Sequence, residues 1–331
     1  MKVTSINQQS EPEAPTLRPQ LLADFTGQPT VTTQLSIALK AARSRGEGLE
    51  HALMYGFPGL GKTTLAHIIA NELGVKAHVV AGPSLSCPQS LLGIFLEVKP
   101  LDVLFIDEIH RIPMPVEEML YSAMEDYKLD VVLDKGISAK AVTLPVNRFT
   151  LIGATTRMGN LSAPLRARFG LVYQFELYAA DELTKIVLRS ANALQIGCDS
   201  SAAAMIAKRS RGTPRVANRL LKRCRDFAHA LGQNHINSEL AGQALQLEGV
   251  DEHGLTRLDY QYLEALIRNG GLAGVDALAA NIGETATTLV DVIEPHLLQE
   301  GYISRTRTGR KATDLAYQLL GKSMPEQKAA F

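Results

Sequence analysis

The sequence predicts an α/β protein in three parts: a phosphate-loop core on a parallel sheet, a small all-helical lid domain and a C-terminal winged helix. Three observations carry this reading. Short apolar runs alternate with helical patterns as far as Tyr178. Strand signals then stop and four helical patterns follow. The C-terminal stretch reads as three helices and then two short strand segments around a Gly-containing basic turn. Alternating strands and helices select a layered α/β architecture, and three helices closed by a hairpin select a winged helix-turn-helix.

Taken in order, residues 1–16 are polar, carry Pro12 and Pro15, and read as a disordered leader. Leu53–Tyr55, Ala77–Val80, Val103–Ile106, Phe149–Ala154 and Val172–Phe175 are apolar runs rich in Val, Ile and Phe, the pattern of parallel strands buried on both faces. Thr63–Glu72 and Val116–Glu125 are helical patterns between them. Asp181–Leu194, Ser201–Arg209, Arg215–Leu231 and Ser238–Leu245 form the all-helical part, with Asp181 and Ser238 as expected N-caps. Gly249–Gly254 reads as a linker. Helices near Asp259–Ile267, Val275–Ile282 and Thr285–Glu300 come next, then strands Tyr302–Ser304 and Lys311–Thr313. The expected domains are 17–178, 179–250 and 251–331, and 331 residues fit a prior of roughly 150 per domain.

Composition narrows the class. A hydrophobic fraction of 46% and a charged fraction of 21% exclude global disorder and rod-like sequences. No apolar run approaches the ~20 residues a membrane helix needs, and Met1–Ser10 has no apolar core of a signal peptide. Cys87, Cys198 and Cys224 lie far apart and give neither a disulfide framework nor a metal spacing. A cytoplasmic protein without a membrane partner is expected.

Gly56-Phe-Pro-Gly-Leu-Gly61-Lys62-Thr63 matches G-x-x-x-x-G-K-[ST], between an apolar strand and a helix. In that context glycines turn loop N–H groups inward to cradle a phosphate, and the helix N-terminus adds positive potential. Lys62 can reach the β- and γ-phosphates, and the Thr63 hydroxyl can ligate Mg²⁺. Leu104-Phe-Ile-Asp107-Glu108 ends a second strand with two carboxylates on the sheet edge where α/β proteins bind ligands. Asp107 is suited to hold Mg²⁺ through water and Glu108 to activate the attacking water. The pair argues for hydrolysis of a nucleoside triphosphate. His110, just after, reads as a satisfied or solvated histidine at least as well as a coupling residue.

Ile152-Gly-Ala-Thr-Thr156 ends another strand on the same edge, where a polar side chain can touch the γ-phosphate or simply cap the strand. Arg166 and Arg168 suit an arginine finger or a plain salt bridge. Arg215, in Gly212-Thr-Pro-Arg215, opens a helix from which it can report nucleotide state.

With these residues in view, the sequence resembles the RuvB family, Holliday-junction branch-migration motors of the AAA+ ATPase class. The resemblance runs from Leu17-Arg18-Pro19 to about Gly321. It includes Gly27-Gln28, the phosphate loop, Phe105-Ile-Asp-Glu-Ile-His-Arg111, Ala123-Met-Glu-Asp126 and Thr150-Leu-Ile-Gly-Ala-Thr-Thr-Arg157. It continues through Arg209-Ser-Arg-Gly-Thr-Pro-Arg215 and Asp291-Val-Ile-Glu-Pro295. It implies an ATP- and Mg²⁺-dependent homohexameric ring on duplex DNA, with RuvA and a RuvC-type resolvase as partners. Leu17 and Arg18 would lie against the adenine and nucleotide. Gly59, Gly61, Lys62, Thr63 and Thr64 would bind phosphates and Mg²⁺, with Asp107 and Glu108 as the Walker B pair. Thr156 or Thr155 would be sensor 1, Arg168 the trans-acting finger and Arg215 sensor 2. Glu125, Asp126, Tyr127 and Tyr178 would lie near the nucleotide or the subunit interface. Leu129–Leu144 would be the family's β-hairpin, docking on RuvA through Val131, Val132, Leu133, Ile137 and Val142; from the residues alone it reads as an ordinary core hairpin.

The chain departs from the family pattern in places. Phe57 stands where the family usually has Pro, and the wing reads Arg305-Thr-Arg307-Thr308-Gly-Arg310 instead of Arg-Thr-Pro-Arg-Gly-Arg. Pro145-Val-Asn-Arg148 is also unusual.

Net charge is +0, yet charge is segregated. Lys208–Arg225 holds eight basic residues and no acidic one, and Tyr302–Lys311 holds four and none. Basic clusters attract the DNA backbone without reading sequence, so Arg305 and Arg310 are the expected DNA contacts. For the Lys208–Arg225 cluster the stronger reading is helix-surface arginines paired with acids on neighbouring subunits. Two other readings stand beside the motor: another AAA+ remodeller, such as a clamp-loader-like ATPase, and a diverged DNA-binding scaffold that keeps ATP as a structural ligand.

Overall fold

The computed structural model describes residues 17–132 and 141–323; the expected leader lies outside them. The chain divides into two compact units, Met1–Cys198 with Gly212–Arg219, and Asp199–Arg211 with Leu220–Phe331.

The first unit holds α1 (Pro29–Arg45), β1 (Ala52–Tyr55), α2 (Lys62–Leu73), β2 (Ala77–Ala81), α3 (Pro88–Phe95), β3 (Val103–Asp107) and α4 (Met114–Asp126). It continues with β4 (Lys128–Val132), β5 (Ala141–Pro145), β6 (Thr150–Thr155), α5 (Ala163–Ala167), β7 (Leu171–Gln174), α6 (Ala180–Ala193) and β8 (Gly197–Cys198). Five strands form one parallel sheet in the order β2-β3-β6-β1-β7. The apolar runs read from the sequence are these strands. The first four residues of β3 and all of β6 are buried, because helices cover both faces of the sheet. Strand order reverses at β1: its helix leads out to β2 at one edge, whereas β7 lies on its other side. Such a switch point opens a crevice beyond the strand C-termini. The β1, β3 and β6 ends, which carry the motifs, meet there. The β4–β5 hairpin pairs antiparallel, with Val131 opposite Val142.

The second unit contains α7 (Ser200–Lys208), most of α8 (Pro214–Ala230), β9 (His235–Ile236) and α9 (Ser238–Leu247). Two-residue strands such as β8 and β9 are too short to show a period of two, which is why the sequence reads here as helix and loop alone. The N-caps also fall earlier than expected. Asn237, not Ser238, caps α9, its Oδ1 accepting from the Leu240 N–H at 2.9 Å. Ala179, not Asp181, precedes α6, where the Glu182 carboxylate accepts from the Ala179 N–H at 3.0 Å.

The same unit ends with α10 (Arg257–Arg268), β10 (Leu272–Ala273), α11 (Val275–Ile282), α12 (Ala286–Thr288), α13 (Glu294–Gln299), β11 (Ile303–Thr306), β12 (Gly309–Ala312) and α14 (Asp314–Leu319). The wing is three-stranded, β10-β12-β11. Tyr262, Leu263, Leu266, Leu278, Leu289 and Leu297 form its core, all fully buried. The single helix expected over Thr285–Glu300 is interrupted by a π-helical turn at Leu289–Ile293. Pro295 has no N–H for the Asp291 carbonyl and its ring crowds that position, so the helix takes up an extra residue. The turn buries Leu289 and Ile293 and brings Glu294 inward.

Candidate functional site

The loop after β1 delivers its last glycine into the N-terminus of α2, where Gly61 caps the helix with a left-handed φ of 100°. Lys62 is buried, and its Nζ donates to the Gly56 and Phe57 carbonyls, each at 2.8 Å. Burial pushes its pKa down to about 8; Asp107 opposes that shift and Arg215 adds to it. These three charged residues therefore share one electrostatic neighbourhood. Arg215 reaches the loop from the first turn of α8: its N–H donates to the Gly59 carbonyl at 3.4 Å. Gly59 has φ 82°, and a Cβ there would lie 2.8 Å from the Arg215 Cβ, so close approach and backbone sign both require glycine.

The loop is braced from behind. The buried Tyr178 hydroxyl donates to the Leu60 carbonyl at 3.0 Å, and burial raises its pKa. Phe25 abuts Gly61. Gln28 clamps the segment after β7 twice: its Nε2 donates to the Glu176 carbonyl at 2.6 Å, and its Oε1 accepts the Glu176 N–H at 3.0 Å. Phe25 and Gln28 were not among the expected site residues. The signal for Gln28 was the Gly27-Gln28 turn, with φ of 82° and 54°, before a helix that starts with Pro. Leu17 is half-buried and Arg18 exposed. Arg18 bears on His67 of α2, whose pKa is lowered first by burial and then by that charge. Thr63 and Thr64, in the first turn of α2, are half-buried.

At the end of β3, Asp107 and Glu108 are half-buried. The Asp107 carboxylate accepts the Glu108 N–H at 3.0 Å, and Glu108 takes a left-handed φ of 49°. Its carboxylate pairs with Arg111 at 2.9 Å. Gly82, after β2, lies under this kink, where a Cβ would come within 2.5 Å of the Glu108 carbonyl oxygen. At the end of β6 the two threonines diverge. Thr155 is buried and its Oγ1 meets His110 Nδ1 at 2.9 Å, whereas Thr156 is exposed. His110 is thus a hydrogen-bonded residue that links the β3 and β6 ends.

Arg168 has different company. Its Nη2 pairs with Glu125 at 3.1 Å, its Nη1 donates to the Pro164 carbonyl at 2.9 Å, and its guanidinium lies 4.2 Å from the Tyr121 ring centroid. The Tyr121 hydroxyl in turn bonds Glu117 and Ser162. Glu125 and Arg168 are therefore brought together, while their described contacts lie outside the phosphate loop. Asp126 is exposed; Tyr127 has φ 52° and packs edge-on to Phe149. Tyr121 carried no sequence signal beyond its place on a helical pattern. In the hairpin, Val131 and Val132 lie on β4 and Val142 on β5, where Val142 is half-buried; Leu133 and Ile137 lie outside the described residues.

In the wing, Arg305 and Arg310 sit directly opposite each other across β11 and β12. Both converge on Glu294, which is fully buried. Its Oε2 accepts from Arg305 Nη2 at 2.7 Å and its Oε1 from Arg310 Nε at 2.8 Å. Tyr262 adds a hydroxyl to Oε1 at 3.1 Å. Glu294 was visible only as part of Asp291-Val-Ile-Glu-Pro295. Within the basic stretch Lys208–Arg225, Arg211 pairs with the buried Asp259, and Arg223 and Arg225 pair with Asp226. Several of these charges are thus matched by acids of the same chain.

Among the described residues no group of three or more His, Cys, Asp or Glu side chains could hold a metal ion. Thr63 and Asp107 offer one hydroxyl and one carboxylate. Such hard oxygen donors suit Mg²⁺, which keeps most of its shell as water and phosphate.

Comparison with known proteins gives a consistent result. Residues 17–175 match the family described as Holliday junction DNA helicase RuvB P-loop domain. Residues 178–251 match the RuvB AAA lid domain, and 252–321 the RuvB C-terminal winged helix domain. The Holliday junction branch migration complex subunit RuvB of Limosilactobacillus reuteri is 52% identical over 95% of this chain and 93% of its own length. That of Nostoc punctiforme is 49% identical over 94% of this chain and 86% of its own. The solved Thermotoga maritima RuvB Holliday junction branch migration motor superposes with a TM-score of 0.84 at 45% identity, covering 93% of this chain and 99% of that one.

Proposed function

This chain belongs to the RuvB family, and we propose that it is an ATP-driven motor that drives branch migration of Holliday junctions in recombination and repair. The observation that carries the enzymatic half is the convergence of Lys62, Asp107 and Arg215 on the loop that opens α2. Loop N–H groups and Lys62 hold the phosphates of ATP. Glu108 orients and activates a water for in-line attack on the γ-phosphorus, and ADP and phosphate leave. Thr63 and Asp107 would hold Mg²⁺, which when bound neutralises phosphate charge. Arg215 reports the nucleotide from the lid helix. Thr156, or the Thr155–His110 pair, senses the γ-phosphate. Leu17, Arg18 and Tyr178 line the nucleotide end of the same unit.

Arg168 acts as the finger of a neighbouring subunit in a homohexameric ring. Its docking on Tyr121 and Glu125, away from its own loop, supports a role outside its own nucleotide site. RuvA docks on the β4–β5 hairpin, a RuvC-type resolvase joins the complex, and Arg305 and Arg310 meet DNA phosphates. The domains are 17–178, 179–250 and 251–331, close to the family boundaries at 175/178 and 251/252. A cytoplasmic location is part of the same proposal; among the described residues no helix is long and apolar enough to cross a membrane. Matches to RuvB lid and winged-helix domains argue against a clamp-loader-like remodeller.

The test is migration of a synthetic four-way junction. ATP-dependent separation of the arms, stimulated by RuvA, is expected. No migration with RuvA, ATP and Mg²⁺ all present would overturn the motor. DNA-stimulated ATP turnover without migration would point to another remodeller.

A further inference from the structure

Two arginines directly opposite on a hairpin repel each other. Here a single carboxylate resolves that repulsion from beneath. The π-helical turn ends at Ile293, so Glu294 starts α13 pointing into the wing with no exposed surface. Oε2 accepts from Arg305 Nε at 3.0 Å, Arg305 Nη2 at 2.7 Å and Arg310 Nη2 at 3.2 Å. Oε1 accepts from Arg310 Nε at 2.8 Å and the Tyr262 hydroxyl at 3.1 Å. Burial pushes the Glu294 carboxyl up, but hydrogen bonds and charge from Arg310 and Arg305 outweigh that and hold it below the usual carboxylate range. The cluster is therefore two cations and one anion, net positive. All four arginine bonds to the carboxylate use Nε or Nη2, so neither Nη1 binds it. The Arg305 side chain remains 49% exposed and that of Arg310 19% exposed.

A planar guanidinium fixed along one edge keeps its orientation, and a fixed orientation is what two-point recognition of a phosphate needs. We propose that Glu294 is a positioning residue for the DNA contact, its buried carboxylate setting the Arg305 and Arg310 guanidiniums at the angle at which they meet phosphate. This rests on the wing reading under Proposed function. It makes a prediction opposite in sign to simple charge counting. Removing a negative charge next to two DNA-binding arginines should strengthen DNA binding severalfold if Glu294 acts only as a counter-charge. If it positions them, binding weakens although the wing becomes more positive.

The experiment is anisotropy titration of the full chain with duplex DNA of mixed sequence at several salt concentrations. Variants are Glu294→Gln, Arg305→Ala with Arg310→Ala, all three together, and Tyr262→Phe. Glu294→Gln is expected to weaken binding about fivefold, the size of one net hydrogen bond, and to add nothing in the background lacking both arginines. Tyr262→Phe, which removes one bond to the carboxylate and keeps the core ring, is expected to weaken binding less, in the same direction. Tighter binding by Glu294→Gln, or an equal loss in the arginine-less background, would overturn the assignment. If Glu294→Gln does not fold, Tyr262→Phe decides, and unchanged binding there overturns it. Normal DNA binding by the double arginine variant alone would instead remove the wing contact itself.

Discussion

The phosphate loop and the wing both fix basic side chains on oxygen acceptors, but they treat the charge in opposite ways. Lys62 rests on two neutral carbonyls, and burial lowers its pKa to about 8. Arg305 and Arg310 share one buried carboxylate, which fixes their planes, and its hydrogen bond raises the Arg310 pKa. A desolvated ammonium on weak partners is ready to transfer to a stronger one, such as an incoming phosphate. A guanidinium pair clamped along one edge is already set for its ligand. In the proposed roles, the chemical step would use a charge that exchanges partners and the DNA contact charges that keep them.

The largest test of this contrast is at the loop. Lys62→Ala is expected to abolish ATP turnover, and Glu108→Gln to lower it by about a hundredfold or more while retaining ATP binding; normal steady-state turnover by either would remove the site. At the wing, Arg305→Ala with Arg310→Ala is expected to weaken duplex binding at every sequence and to reduce the salt slope by about two. An unchanged slope would detach the wing from the backbone. The smallest effect is in pH. The folded pKa of Lys62 lies below its ordinary 10.5, at about 8, so affinity for the phosphates falls as pH rises through about 8, by no more than about tenfold per unit. Over the window between those two values the unfolded chain holds a proton that the folded chain does not, so fold stability rises with pH while nucleotide affinity falls. Lys62→Arg, which stays charged, should flatten the affinity profile; a profile that keeps its step would assign it to another group.

Much of this was legible in the residues alone. β3 and β6 announce themselves because parallel strands covered on both faces must be apolar throughout. The loop is legible because its chemistry is local in sequence. What was not legible depends on partners distant in the chain. Nothing around Arg168 reveals that it lies over Tyr121 and pairs with Glu125. Nothing in the sequence marks Glu294 as buried, because carboxylates are seldom buried unless paired and its partners lie eleven and sixteen positions ahead. The π turn at Leu289–Ile293 was hidden for a related reason: an extra residue in a helix changes the facing of side chains without changing composition.

Gly82 carries a consequence for genetics. It belongs to none of the nucleotide motifs, yet its Cα forms the wall on which the Glu108 carbonyl rests, with no space for a methyl group. Its φ lies outside the left-handed range, so the cost of alanine there is the clash with the Glu108 and Asp107 backbone and not strain at Gly82 itself. The displaced atoms would be those of the acidic pair. A screen for conditional alleles, scored by loss of ATP turnover in folded protein, should therefore recover this glycine alongside the motif residues themselves.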